Sequence, residues 1–239
     1  MNSAFSLPAL TLAFNVVIIS FLASINTNNI TIMETKASSN DSIDTSITFW
    51  FMVDAMFRGV GQFIFADTTV GGLVIVAGIA IASRPAAMAA FFGSFIACIS
   101  ALYILEVPKS LVSDVRKGLY GYNSAGVYAA IAGNVFFVHN RASIFYGAVG
   151  TLLSMLVLVG SKSFLGTSEL NLPVMTVPFC ITTWLMMYLR APALIPMDQS
   201  NAPARHTVRA SMQSEYLDVS IHSYMEDSQH SSSSVYRKA

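Results

Sequence analysis

Apolar residues in this chain come in long unbroken stretches, not in the alternating or one-faced patterns of soluble elements. Runs near 5–24, 86–105, 118–137, 142–160 and 172–190 approach the roughly 20 residues that a helix needs to cross about 30 Å of hydrocarbon. A shorter run at 70–83 contains Gly71, Gly72 and Gly78, residues that let helices approach closely. The pattern predicts an all-α, polytopic membrane protein with about six transmembrane helices. A further apolar segment at 48–66 is interrupted by Asp54 and Arg58. Charge is costly in hydrocarbon, so this segment is expected to be one short re-entrant or interfacial helix.

The first run contains Pro8, lacks a clear cleavage motif and has no Lys or Arg before Lys36. It therefore reads as a membrane helix, with a signal peptide as the alternative. Residues 25–48 are polar and contain two N-glycosylation sequons, Asn29-Ile30-Thr31 and Asn40-Asp41-Ser42. Chance occurrence in an Asn/Ser/Thr-rich loop is the competing account; use of either site makes the loop extracellular or lumenal. Beyond 190, Pro192, Pro196 and Pro203 block helix continuation, and 191–239 read as a disordered, Ser-rich tail. The crossings between loop and tail are odd in number, so a glycosylated loop implies a cytoplasmic tail. Arg190, Arg205 and Arg209 favour that orientation, whereas Lys109, Arg116, Lys117 and Lys162 oppose it.

Composition narrows the classes. Hydrophobic residues make up 54% of the 239 and charged residues only 11%, against about 25% charge in soluble proteins. Net charge is zero, and no basic patch offers a nucleic-acid surface. Cys98 and Cys180 lie inside apolar runs, which argues against a disulfide framework. An enzyme is disfavoured: there is no His-Glu-x-x-His and no Gly two residues before Ser124. His139, beside Asn140 and Arg141, reads as a loop residue, and the remaining histidines fall in the tail. No metal site or cofactor is implied. Glu106 and Asp114 fall in an expected loop, 106–117, rather than in a crossing, which disfavours an ion-driven transporter.

Two segments repeat. Leu7-Pro8-Ala9-Leu10-Thr11-Leu12-Ala13-Phe14 matches Leu172-Pro173-Val174-Met175-Thr176-Val177-Pro178-Phe179 at Leu, Pro, Thr and Phe, with one constant offset of 165. Both copies open an apolar run. An odd number of crossings per repeat would invert successive repeats, an architecture common in transporters.

These segments, with two others, resemble the urea transporter family. Arg58-Gly59-Val60-Gly61-Gln62-Phe63-Ile64-Phe65 resembles the Gly-x-Gly-Gln segment that opens each repeat. Gly118-Leu119-Tyr120-Gly121-Tyr122-Asn123-Ser124 resembles the Gly-Leu-x-Gly-aromatic-Asn signature. Residues 172–180 resemble the closing motif of the second repeat, and Leu7 through Asn15 that of the first, which ends in Phe-Asn. The resemblance covers about 1–190. It implies half of an inverted-repeat channel fold. Residues 1–24 would be the last transmembrane helix of a first repeat that is otherwise largely missing. Residues 25–48 would be the inter-repeat loop, and 49–190 a complete second repeat. It further implies homotrimers, a lipid-embedded site in a eukaryotic plasma membrane, and downhill passage of urea or a small neutral analogue.

By the same resemblance, Gln62 would sit near the start of a re-entrant pore helix with its amide oxygen at one mouth. Phe65, one turn on, and Tyr122 would supply aromatic faces, and Thr11 and Thr176 would face each other at mid-pore. Asn123, Gly126, Pro173 and Phe179 would shape the surroundings. Plainer roles compete: Gln62 as a helix-packing hydrogen bonder, Phe65 and Tyr122 as packing or interface anchors, the threonines bonding their own backbone. The chain departs from the family where Ala13 replaces a proline, Thr68-Thr69 replaces Asn-Pro, and Gly126 replaces a leucine on the slot wall. A glycine there is expected to widen the slot. The other function classes are a non-conducting subunit that assembles with full-length relatives and, less favoured, an intramembrane enzyme.

Overall fold

The computed structural model describes residue 8 and residues 10–27, 46–165, 172–189 and 191–197. The sequons at Asn29 and Asn40 and the tail beyond 197 lie outside the described residues. Within them the named elements are helices: α1 (Leu12–Thr27), α2 (Phe49–Gly61), α3 (Thr69–Ala82), α4 (Arg84–Ile99), α5 (Val112–Arg116), α6 (Tyr122–Ala132), α7 (Arg141–Leu165) and α8 (Val177–Tyr188). An isolated antiparallel bridge joins Phe137 to Pro196.

Among the described residues two helices are long and apolar enough to cross a membrane: α4 with its π-helical extension, Arg84–Ile104, and α7. A third span results only if Phe49–Ile64 and α3 count as one, since they are bent by 71° at a short break. The expected crossings at 118–137 and 172–190 contain much shorter helices. α6 has 11 residues, about 17 Å, and α8 has 12. Each follows a left-handed residue, Gly118 (φ 80°) before α6 and Met175 (φ 51°) before α8, where regular helix cannot begin. The expected loop at 106–117 is partly helical too, with a 3₁₀ turn at Lys109–Leu111 leading into α5.

Local chemistry sets the helix starts. Thr48, Thr68 and Ser83 each accept a backbone N–H from the first turn of α2, α3 and α4. At α7, Asn140 and Ser143 bond reciprocally: Ser143 N–H donates to Asn140 Oδ1 (2.8 Å) and Asn140 N–H to Ser143 Oγ (2.9 Å). His139 belongs to the preceding loop, with its N–H on Asn134 Oδ1 and its Nδ1 against Ala132 O.

α2, α3, α4, α6 and α7 pack through small residues. A side chain at Gly72 of α3 would overlap the Phe57 carbonyl of α2, and one at Gly93 of α4 would lie 2.7 Å from Ser124 O and Tyr128 Cβ of α6. Such close approach replaces hydrophobic drive with dispersion where the surroundings are as apolar as the core.

The charges in α2 are resolved by a network. Asp54 Oδ1 accepts from Arg58 Nε (2.8 Å) and Thr69 Oγ1, and Oδ2 accepts from Arg116 Nε (2.9 Å). Arg58 also reaches Asp67 at 3.4 Å. One carboxylate thus binds α2, α3 and the 112–117 segment together. Asp54→Ala leaves two guanidinium groups without this partner. The arginine side chains are 26% and 35% exposed, so the expected loss is about 2 kcal/mol, below the roughly 3–5 of a fully buried pair. Thermal unfolding in detergent measures it; an unchanged midpoint would show the cluster to be incidental.

Candidate functional site

The two repeated segments meet. Thr11 Oγ1 and Thr176 Oγ1 are 2.7 Å apart. Each threonine follows a left-handed non-glycine residue, Leu10 (φ 48°) and Met175 (φ 51°), and each precedes a helix that begins one residue later. Backbone conformation, hydroxyl and helix start therefore all recur at the offset of 165. Pro178 lies in the first turn of α8, but α1 starts at the corresponding point with Ala13 in its place. The proline is dispensable because the left-handed residue has already made the break.

α6 holds that break open. Tyr122 Oη donates to Met175 O, Asn123 Nδ2 donates to the same carbonyl (3.2 Å), and Asn123 Oδ1 accepts from Phe179 N (3.1 Å). Asn123 thus satisfies a carbonyl before α8 and a donor inside its first turn, groups a helix start otherwise leaves orphaned. Asn15, one turn into α1 and 1% exposed, accepts from Thr176. Trp184 Nε1 donates to Pro8 O (2.8 Å), a second tie between the two segments.

Gln62 differs from its expected position. It is the C-cap of α2, not the start of a helix, and opens a 3₁₀ turn, Gln62–Ile64. The turn closes at Phe65, one 3₁₀ turn on, whose N–H donates to Gln62 O (3.1 Å) and whose backbone is left-handed (φ 60°). Its exposed ring meets Phe14 of α1, with centroids 6.2 Å apart. Gln62 Nε2 donates to Lys117 O (3.0 Å), which leaves its amide oxygen as the free acceptor. Lys117 immediately precedes left-handed Gly118, where a side chain would overlap Gly59. The Gly-x-Gly-Gln and Gly-Leu-x-Gly segments are therefore clipped together, and next to Lys117 is Arg116, held by Asp54.

Gly126 does not leave a wider space. A Cβ built there would overlap the Phe63 ring and lie 3.0 Å from Phe179 Cδ2. Phe63 and Phe179 pack edge to face, with centroids 5.7 Å apart. The expected widening is thus corrected: Phe63, the residue after Gln62, fills the volume over the glycine. Tyr122, Asn123, Thr11, Thr176 and Phe179 form one bonded group, and Gly126 joins it through Phe179. Gln62 borders the group through Phe63, Phe65 lies by Phe14, and Pro173 is exposed. Asn15, Phe14 and Phe63 were not singled out from sequence; the Phe-Asn ending of the first motif was the signal available for two of them. Among the described residues no cluster of His, Cys, Asp and Glu is arranged to hold a metal.

A family model described as urea transporter matches residues 1–191. The chain belongs to the urea transporter family. It is accordingly a membrane transport protein and not an enzyme. The motifs that carry the family resemblance are the ones that meet around the Thr11–Thr176 contact and the Gln62–Lys117 clip.

In this urea transporter family member, Gly126→Leu is expected to overpack against Phe63 and cost about 1–3 kcal/mol. Adding Phe63→Val makes room for the leucine and should recover most of that loss. Detergent melting of the two single variants and the double variant measures the coupling. Strictly additive effects would show that the residues do not share the space.

Proposed function

We propose that the chain forms one side and the centre of a passive pore for urea. The carrying observation is the 2.7 Å contact between Thr11 and Thr176, two hydroxyls on segments related by a constant offset, each after a left-handed break. In this reading 49–190 is a complete inverted repeat and α1 the last helix of its counterpart.

The chemistry suits a small, flat, neutral solute. Urea carries N–H donors on both amino groups and one carbonyl. It can shed water in an apolar slot only where those groups find partners. Gln62 Oε1 offers an acceptor at one mouth. The threonine pair offers acceptors at mid-pore, and the helix starts of α1 and α8 direct partial positive charge toward the urea carbonyl. Phe14, Phe65, Phe63 and Phe179 supply apolar aromatic surface. A neutral lining gives an ion little compensation for dehydration. Trimeric assembly, a eukaryotic plasma-membrane location, glycosylation at Asn29 or Asn40 and a cytoplasmic tail complete the proposal by resemblance.

Exposed apolar residues on α1, including Val16, Val17 and Phe21, favour a second reading. In it the chain assembles with full-length relatives and changes flux only through them. Flux by the purified chain alone separates the two.

Proteoliposomes containing the chain should take up urea faster than empty vesicles, with no dependence on a sodium or proton gradient. Thr176→Val should lower that flux about tenfold, the factor that one lost buried hydrogen bond is worth. Wild-type flux equal to that of empty vesicles would refute the pore.

A further inference from the structure

The hydrogen bonds around the threonine pair have only one consistent direction. A backbone N–H can only donate, so the bond from Thr176 N (3.2 Å) identifies the Asn15 atom that receives it as the amide oxygen. Thr176 Oγ1, 3.0 Å from the same oxygen, must also donate to it. Its single hydrogen is then spent. Thr11 Oγ1, at 2.7 Å, must donate to Thr176 rather than accept. With Thr11's hydrogen also spent, the 3.3 Å contact to Cys180 is a thiol S–H donating to Thr11 Oγ1. Asn15 Nδ2 donates to Cys180 Sγ at 3.7 Å, which closes the loop. Four side chains form a ring in which every link runs the same way. Asn15 and Cys180, both 1% exposed, stand at equivalent places in the two segments but play opposite parts.

We infer that Asn15 is a positioning residue that turns both threonine hydroxyls into pure acceptors for the N–H groups of a permeating solute. Each hydroxyl oxygen donates once and accepts once within the ring, so one lone pair remains on each and no hydrogen. Such a pair rewards a solute with N–H on both sides, as in urea, over one with N–H on a single side, as in acetamide. A pair with a free hydrogen would not discriminate in this way. The inference rests on the transport reading for its consequence, but the ring itself is testable without transport.

With Cys98→Ala, Cys180 is the remaining thiol. Its infrared S–H stretch is expected below the frequency of a free thiol and should rise in Thr11→Val, which removes the acceptor. A band already at the free-thiol frequency, or one that does not move, overturns the ring. In vesicles, Asn15→Leu frees the Thr176 hydrogen and should lower the urea-to-acetamide flux ratio about fivefold, the worth of one ordinary hydrogen bond. Asn15→Asp keeps the oxygen acceptor and should hold the ratio. Cys180→Ala, a gentler change if Asn15→Leu misfolds, leaves both hydroxyl directions intact and should not lower the ratio. A fall in Cys180→Ala, or an unchanged ratio in Asn15→Leu, overturns the positioning role. A moving S–H band in a chain with no urea flux removes the transport reading and leaves the ring standing.

Discussion

A helix interrupted within hydrocarbon exposes carbonyls and amides that water cannot reach, and the interruption survives only if side chains take their place. Asn123 does this for α8. Its amide donates to Met175 O on one side of the break and accepts from Phe179 N on the other. Tyr122 gives the same carbonyl a second donor. Much else depends on that bracket. It lets Met175 stay left-handed, which turns Thr176 toward Thr11 and starts α8 close to the opposite segment. A shorter or apolar side chain at 123 would leave the Phe179 N–H unpaired and the Met175 carbonyl with Tyr122 as its one remaining side-chain donor.

The charged residues serve the same end from outside. Asp54 ties Arg58, Arg116 and Thr69 into one cluster. Through Arg116 it anchors the backbone whose next carbonyl, that of Lys117, receives the Gln62 amide. The bond fixes which end of the amide faces that carbonyl, its nitrogen. Two interactions far apart in sequence thus position the motif side chains: a bracketed helix break before α8, and a charge cluster around Asp54.

The legible and illegible parts of this fold divide on physical grounds. α4 and α7 follow directly from uninterrupted apolar length, because spanning hydrocarbon leaves few other solutions. The charges at Asp54 and Arg58 set α2 apart from the uninterrupted apolar runs, and the chain bends by 71° at the short break after it. The brevity of α6 and α8 was not legible, since a broken helix and a continuous one share the same apolar composition. Motif residues such as Gln62, Tyr122 and Asn123 stood out by their resemblance to the family's motifs, but their partners did not. Lys117 and Met175 act through main-chain carbonyls, which carry no residue-type signal. Phe63 was missed because its importance lies in a neighbour 63 positions away that lacks a side chain.

That last pair limits how the protein can change. A leucine at 126 beside Phe63 overfills the space, and a small residue at 63 beside Gly126 empties it. Both end states pack well, yet each single step between them passes through a less stable protein. The two positions are therefore bound by epistasis, and the order of substitutions matters. Opening a void first leaves a chain that can still close its other contacts, whereas adding the leucine first displaces an aromatic ring already wedged against Phe179. A lineage moving between the two solutions would be expected to shrink residue 63 before enlarging residue 126.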